Sequence, residues 1–497
     1  MFETAELGRK VDKDTYNETE PTLRVELLEL QRELRELGDF PVIVVFAGVD
    51  GAGKGMTVNK LNEWMDPRWL INVAYRTPSE EERERPRFWR YWRDLPPKGQ
   101  IGLFLSSWYS GPLLDRVYGK IDDAALDTEL HRIAGFEDEL AEDGAVILKF
   151  WMHLSRKQQS KRLTELEEDE LNSWRVDDRA RKHLDMYDDF LSATERTIRR
   201  TSTGPAPWIL VEGSNRRYRE LTVATAIRDA VRKRIAEAKA AKQAPKAEAE
   251  ASTPSGITQP TILDSLKMDQ PLTKKEFKKE FEVQRARVGK LYRAAKERGI
   301  ASVLMFEGWD AAGKGGGIRR LVSSMEARDY RVIPVAAPTQ EERAQHYLWR
   351  FWRHLGRDGR VTVFDRSWYG RVLVERVEGF ATEAEWQRAY AEINHFEEQI
   401  TDHGSVLMKY WVHITPDEQL ARFEARKLIP WKAWKLTDED WRNREKWDEY
   451  AVAINDLVER TSTSTAPWTL VEGNNKNYGR LKIITSYADA LEKRLSS

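Results

Sequence analysis

No cysteine occurs among the 497 residues, which excludes disulfides, thiolate metal sites and a cysteine nucleophile. Net charge is nearly absent as well: 81 Lys and Arg against 82 Asp and Glu leave −1. No whole-molecule field therefore draws the chain to nucleic acid or to a membrane, and any polyanion site has to be a local basic patch. No apolar run is long enough to span a bilayer. The start, Met1-Phe2-Glu3-Thr4-Ala5-Glu6, lacks the basic-then-apolar pattern of a secretory signal. These absences point to a cytoplasmic protein with neither a nucleic-acid nor a membrane partner. What is present is ordinary for a globular chain, 40% hydrophobic and 33% charged, and the length suits two domains.

The informative stretch is Phe306-Glu307-Gly308-Trp309-Asp310-Ala311-Ala312-Gly313-Lys314-Gly315. It follows the apolar run Ala301-Ser302-Val303-Leu304-Met305, and Ile318, Leu321, Val322 and Met325 follow it at helical spacing. Strand, glycine-rich turn and helix form the context of a phosphate-binding loop. Backbone N–H groups of Gly308, Ala311, Ala312, Gly313 and Gly315 would curl around phosphate oxygens at a helix N-terminus, and Lys314 adds a full positive charge. An ordinary loop of this kind has Ser or Thr after the lysine to hold Mg²⁺. Gly315 stands there, and Asp310 is the obvious substitute, because Mg²⁺ is commonly bound by one or two carboxylates plus substrate phosphates.

A chance match is nearly removed by repetition. Displaced by 260 positions, residues 46–55 match residues 306–315 at seven of ten places, and residues 201–213 match 461–473 at ten of thirteen. The same displacement superposes Ser107-Trp108-Tyr109 on Ser367-Trp368-Tyr369 and Lys149-Phe150-Trp151 on Lys409-Tyr410-Trp411. The chain is an internal duplication: residues 1–235, a flexible linker over 236–265 poor in apolar bulk, into which a helical extension from Val231 is expected to fray, and residues 266–497. A surface helix is expected over 21–38 and a basic helix over 274–297. Strands are expected at 302–307, 331–336, 361–365, 405–411 and 468–472. Their alternation with helices implies an α/β class, each copy a parallel sheet between helices with ligands beyond the carboxyl ends of the strands.

In Val361-Thr362-Val363-Phe364-Asp365-Arg366-Ser367-Trp368-Tyr369-Gly370-Arg371, Asp365 falls at a strand end. Alone, such an aspartate would sooner cap the next helix. Beside this loop, Asp365 and Asp310 are expected to bracket one metal ion. Arg366, Arg371 and Arg376 offer guanidinium forks suited to phosphate oxygens, although one could pair with Glu375 or Glu378. Residues 422–447 carry Arg422, Arg426, Lys427, Lys432, Lys435, Arg442, Arg444 and Lys446, net +3, and suit a helical lid over phosphates. The equivalent residues 162–187 are net −3. The first copy also has Leu105-Ser106 in place of Asp365-Arg366, and Ser110-Gly111 in place of Gly370-Arg371. It keeps Asp50 and Lys54 but loses the second metal ligand, so the first domain is expected to be degenerate, binding a chain or bracing a homo-oligomer. Trp349 and Trp352 read as core, with Arg350 and Arg353 on another face. His153 and His413, at equivalent strand positions, read as core residues rather than phosphohistidine nucleophiles.

These paired motifs resemble the polyphosphate kinase 2 family, and the tandem arrangement resembles its two-domain members that phosphorylate AMP. The resemblance covers nearly everything outside the N-terminal tail and the linker. It implies a P-loop kinase-like α/β/α fold with a helical lid, inorganic polyphosphate as donor, a nucleoside monophosphate such as AMP as acceptor, and Mg²⁺. By position it makes Asp310 and Asp365 metal ligands, Lys314 the phosphate clamp, and Arg366 and Arg426 contacts of the transferring phosphoryl. Arg371 would clamp oxygens with them, and Arg376, Lys427 and Arg444 would contact phosphates. Other readings remain: ADP-to-ATP transfer, an ATP-using nucleotide kinase, or a polyphosphate-binding protein without turnover.

Overall fold

The structure, a computed structural model, describes residues 1–171, 173–243, 261–428 and 437–496. Ten strands form two sheets: β1 Val42–Gly48, β2 Leu70–Ala74, β3 Ile101–Ser106, β4 Val146–His153 and β5 Trp208–Glu212 in one, and β6 Ser302–Gly308, β7 Tyr330–Pro334, β8 Val361–Asp365, β9 Val406–His413 and β10 Trp468–Glu472 in the other. The strand orders, β2-β3-β1-β4-β5 and β7-β8-β6-β9-β10, are equivalent, and every pair is parallel. The five strands expected in the second copy are all there.

Each sheet has a doubly buried core, as parallel strands covered on both faces must. On β9, neighbouring residues point to opposite faces. Tyr410 donates to the Ile483 carbonyl of the helix Lys476–Ser496, at 3.2 Å. Lys409 turns the other way, to Glu397 on the helix Glu383–Asp402. Helices therefore cover both faces, giving three layers. The helix Lys274–Glu297 starts and stops where the sequence predicts, its Thr273 and Glu276 forming a capping box. The first helix begins earlier than expected, at Lys13–Leu37, because Asp12 accepts from the N–H groups of Asp14 and Thr15.

One compact unit is built from Met1–Pro78, the described residues of 91–243, and Gln340–His346; the other from Ser79–Arg90, residues 261–339, and the described residues from Tyr347 onward. The two short segments begin alike, Glu80-Glu81-Glu82-Arg83 against Gln340-Glu341-Glu342-Arg343, and diverge after that. The helical extension expected from Val231 is present: the helix Arg216–Gln243 carries on through residues 236–243. Ile235 and Ala238 are buried, Lys239 pairs with Glu33 of the first helix, and Lys242 pairs with Asp39 just beyond its end. Residues 261–265 form hydrogen-bonded turns with Leu263 buried. The rest of the expected linker lies outside the described residues.

Each unit buries one ion pair at the same place. Lys409 Nζ meets Glu397 at 2.7 Å, with their side chains 0% and 1% exposed. Lys409 also donates to the Thr461 carbonyl and Tyr369, and Glu397 accepts from Trp368 and Tyr369. This satisfied network anchors Trp368-Tyr369, and so fixes the chain that leaves β8. Removing one partner strands the other charge. Lys409→Met is expected to lower unfolding free energy by about 3–5 kcal/mol, read from urea denaturation, whereas a loss within experimental error would deny the network this role. No described helix is long and apolar enough to cross a membrane.

Candidate active site

The loop after β6 turns on Gly308, at φ 148°, where a Cβ would come within 2.4 Å of the Val412 carbonyl oxygen on β9. Only glycine fits there. Lys314 opens the helix Lys314–Val322 and folds its ammonium back onto the Gly308 and Trp309 carbonyls, at 2.5 and 3.3 Å. The loop is braced from behind by Arg422, buried at 5% exposure. Its guanidinium donates to the carbonyls of Ala311, Ala312, Gly473 and Asn474, at 3.0, 2.7, 2.6 and 3.1 Å. A trans peptide sets C=O and N–H in opposite directions, so holding the Ala312 carbonyl turns the Gly313 N–H away from the brace. Sequence reasoning placed Arg422 in the lid's charge count and missed this role.

One cavity of about 90 Å³ collects Gly308, Asp310, Lys314 and Arg366. Asp310 accepts from Asn443 at 2.9 Å and lies 3.7 Å from Arg366. Arg366 follows the end of β8, where Asp365 is in register with Phe306. Among the described residues the non-glycines with positive φ are Ala311, at 63°, and Arg366, at 67°. Both belong to this site, and backbone strain of this kind collects where function demands a fixed geometry. Burial lowers the Arg366 pKa, but Asp310, Glu307, Glu439 and Asp365 outweigh it and hold the guanidinium above its ordinary value. Asp365 itself stands outside the cavity lining.

Several lining residues carried no legible signal. Glu307 is 7% exposed, accepts from Ser367 at 2.8 Å, and has its carboxyl pushed up by burial. Asn443 and Gln419 reach in from the lid, Gln419 donating to the Asp310 carbonyl. Trp309 stacks on Trp447 at 3.6 Å and 7°, and its Nε1 donates to His413 Nδ1 at 3.2 Å. That bond requires a neutral Nδ1, and burial pushes His413 down to about 4 against the opposing charges of Asp264 and Glu472. The folded chain therefore binds this proton less tightly than the unfolded chain, and stability is lost as pH falls from about 6.5 through 4. The loss is at most about 3 kcal/mol. Urea midpoints should slope less with pH in His413→Gln than in the wild type across this window, and equal slopes would contradict the assignment.

The other predicted cations lie elsewhere. Arg371 was expected to clamp phosphate, yet the 3₁₀ turn Trp368–Val372 carries it beside Glu375 and Glu385, at 3.2 and 3.9 Å, over the Tyr347 ring. Arg376 is held by Asp456 at 2.7 Å and lies over Trp386. Arg444 donates to Pro416 and Gln419, and Lys427 pairs with Glu424. Arg442 and Lys446 share Glu378, so the lid's net charge overstates what it can offer a phosphate. Arg426 is partly exposed outside the lining and has no ion-pair partner among the described residues. Lys432 and Lys435 lie outside the described residues. Trp349 and Trp352 are core, as expected; Arg350 donates to Ala336, and Arg353 lies over Trp349.

Among the described residues no three metal-ligating side chains gather, so no self-sufficient cage exists. The donor set nevertheless fits Mg²⁺ arriving with phosphate. Four carboxylates, Glu307, Asp310, Asp365 and Glu439, act on one guanidinium, and such a set accepts a polyphosphate only if a cation comes with it.

A family model described as polyphosphate kinase 2 matches residues 10–239 and 271–497. The chain is 48% identical over 492 residues to a polyphosphate:AMP phosphotransferase of Pseudomonas aeruginosa, covering 99% of both chains. It is 36% identical over 481 residues to one of Acinetobacter johnsonii, covering 95% of this chain and 96% of that one. A crystal structure described as a polyphosphate kinase 2 of Pseudomonas aeruginosa superposes with a TM-score of 0.89 at 45% identity, over 100% of this chain and 99% of that one. With loop, cavity and both repeats accounted for, the chain belongs to the polyphosphate kinase 2 family.

Proposed function

We propose that the second unit transfers the terminal phosphoryl group of inorganic polyphosphate to AMP, giving ADP. The observation that carries this reading is the convergence of Gly308, Asp310, Lys314 and Arg366 on one cavity. Full-length relatives named polyphosphate:AMP phosphotransferase support the substrate pair.

Phosphoryl transfer needs positioning and charge neutralisation more than covalent help. An AMP phosphate oxygen attacks the terminal phosphorus in line; a new P–O bond forms as the bond to the shortened chain breaks, and its electron pair leaves with that chain. The attacking oxygen is already ionised at neutral pH, so no strong base is required. Loop N–H groups and Lys314 hold the donor's oxygens, and Arg366 faces the charge that spreads over the transferring group. Asp310 and Asp365 would hold Mg²⁺, which when bound neutralises phosphate charge.

Purified protein given AMP, Mg²⁺ and either polyphosphate or ATP should form ADP with polyphosphate as the donor, seen by anion-exchange chromatography. ADP formation with ATP alone as donor would replace this reading with an ordinary nucleotide kinase. ADP and GMP as acceptors, tested alongside, define the acceptor preference.

A further inference from the structure

The first unit keeps a phosphate loop without the transfer chemistry. Leu105 and Ser106 occupy the places of Asp365 and Arg366, which removes a carboxylate and a guanidinium together. Asp50 is engaged by His183, Oδ2 to Nδ1 at 2.6 Å, and His183 is held in turn by Tyr118. The loop itself is intact. Lys54 opens the helix Lys54–Trp64 and donates to the Gly48 and Val49 carbonyls.

The brace has moved. Arg219, not Arg162, supports this loop, donating to the Gly213 carbonyl and to Thr57 at 2.7 and 3.1 Å. Arg162, at the place of Arg422, is left with its side chain 37% exposed, paired only loosely with Glu165 at 3.4 Å. With Arg175 and Arg179 it lines a chamber of about 320 Å³ against the loop glycines. A second chamber of about 220 Å³ lies on the other side of Asp50, Lys54 and Arg179, walled by Tyr75, Leu105, Leu113 and Phe190.

Two residues that line this apolar chamber each carry a buried polar atom with no partner among the described residues: Gln159 Oε1 and Trp151 Nε1, on residues 1% and 2% exposed. Their counterparts in the second unit are satisfied, since Gln419 Oε1 accepts from Arg444 and Trp411 Nε1 donates to His413. Buried polar atoms are nearly always paired. One acceptor and one donor on an apolar, aromatic wall match the polar edge of a heterocyclic base, and the arginines across the loop match a phosphate.

We propose that the first unit binds a nucleoside mono- or diphosphate and does not turn it over. The base lies in the apolar chamber against Gln159 and Trp151, and the phosphate lies on the loop beside Arg162, Arg175 and Arg179. A long polyanion is disfavoured, because residues 162–187 are net negative. With Leu105 at the second carboxylate position, binding is independent of Mg²⁺. The ligand class follows from the chambers alone and does not rest on the donor assigned to the second unit.

The test is equilibrium dialysis of labelled AMP and ADP against the full chain, without Mg²⁺ or polyphosphate. In Lys314→Ala, which stops transfer in the second unit but leaves its acceptor site, at least one of the two nucleotides should bind, with one equivalent per chain held by the first unit. Adding Gln159→Leu, or separately Arg179→Glu on the exposed side, should weaken that binding at least about tenfold. Gln159→Leu removes an unpaired buried oxygen, so thermal stability should hold or rise, which separates lost binding from misfolding. The proposal is overturned if Lys314→Ala binds neither nucleotide, or if both double variants bind as Lys314→Ala does. ADP formation by the wild type, scored separately, reports on the second unit alone.

Discussion

In Asp365→Asn, ADP formation from polyphosphate falls about 10³-fold while the fold and the unfolding midpoint are kept. The substitution preserves size and changes one charge at the end of β8, where no described side chain depends on Asp365 for an ion pair. Its carboxylate is one of the four that act on Arg366, and without it the site loses one of two carboxylates suited to a phosphate-bound cation. The loss should be larger at limiting than at saturating Mg²⁺, and chelation of Mg²⁺ should reduce the wild type to the level of the variant. Activity within about threefold of wild type would remove Asp365 from the metal assignment. Because the first unit has leucine at this position, the residual rate also bounds what that unit contributes.

Arg366→Gly separates catalysis from stability. Arg366 sits at φ 67°, a conformation that costs a non-glycine residue on the order of 1 kcal/mol and costs glycine little. Its guanidinium is half exposed toward Asp310. Removing it should lower turnover by about 10³–10⁵-fold, in the range of other arginines that meet a transferring phosphoryl, while the unfolding midpoint stays or rises slightly. Arg366→Lys should recover little, since an ammonium cannot reproduce a planar fork. A variant that unfolds, or one that keeps its rate, would show that the strained turn serves the fold rather than transfer.

The architecture was legible because its signals are local. An apolar run, a glycine-rich turn and a helical pattern stand next to each other around Lys314, and the 260-residue repeat supplies each signal twice. Asp310, Lys314 and Arg366 were legible for the same reason. Contributions made across the fold were not. Glu307 reads as part of a strand until Ser367 is found against it. Asn443 and Gln419 carry no charge and reach Asp310 from more than a hundred residues away. Of the cations expected at phosphate, Arg371 pairs with Glu375, an alternative the sequence offered, and Arg376 with Asp456, 80 residues distant. Charge counted along a lid does not say which charges are already paired.

The most direct test of where transfer occurs is single-turnover formation of labelled ADP from labelled AMP and polyphosphate by Lys314→Ala in the full-length chain. The account predicts a loss of at least about 10²-fold with the unfolding midpoint unchanged. A rate equal to wild type would place the chemistry outside the cavity of Asp310, Lys314 and Arg366.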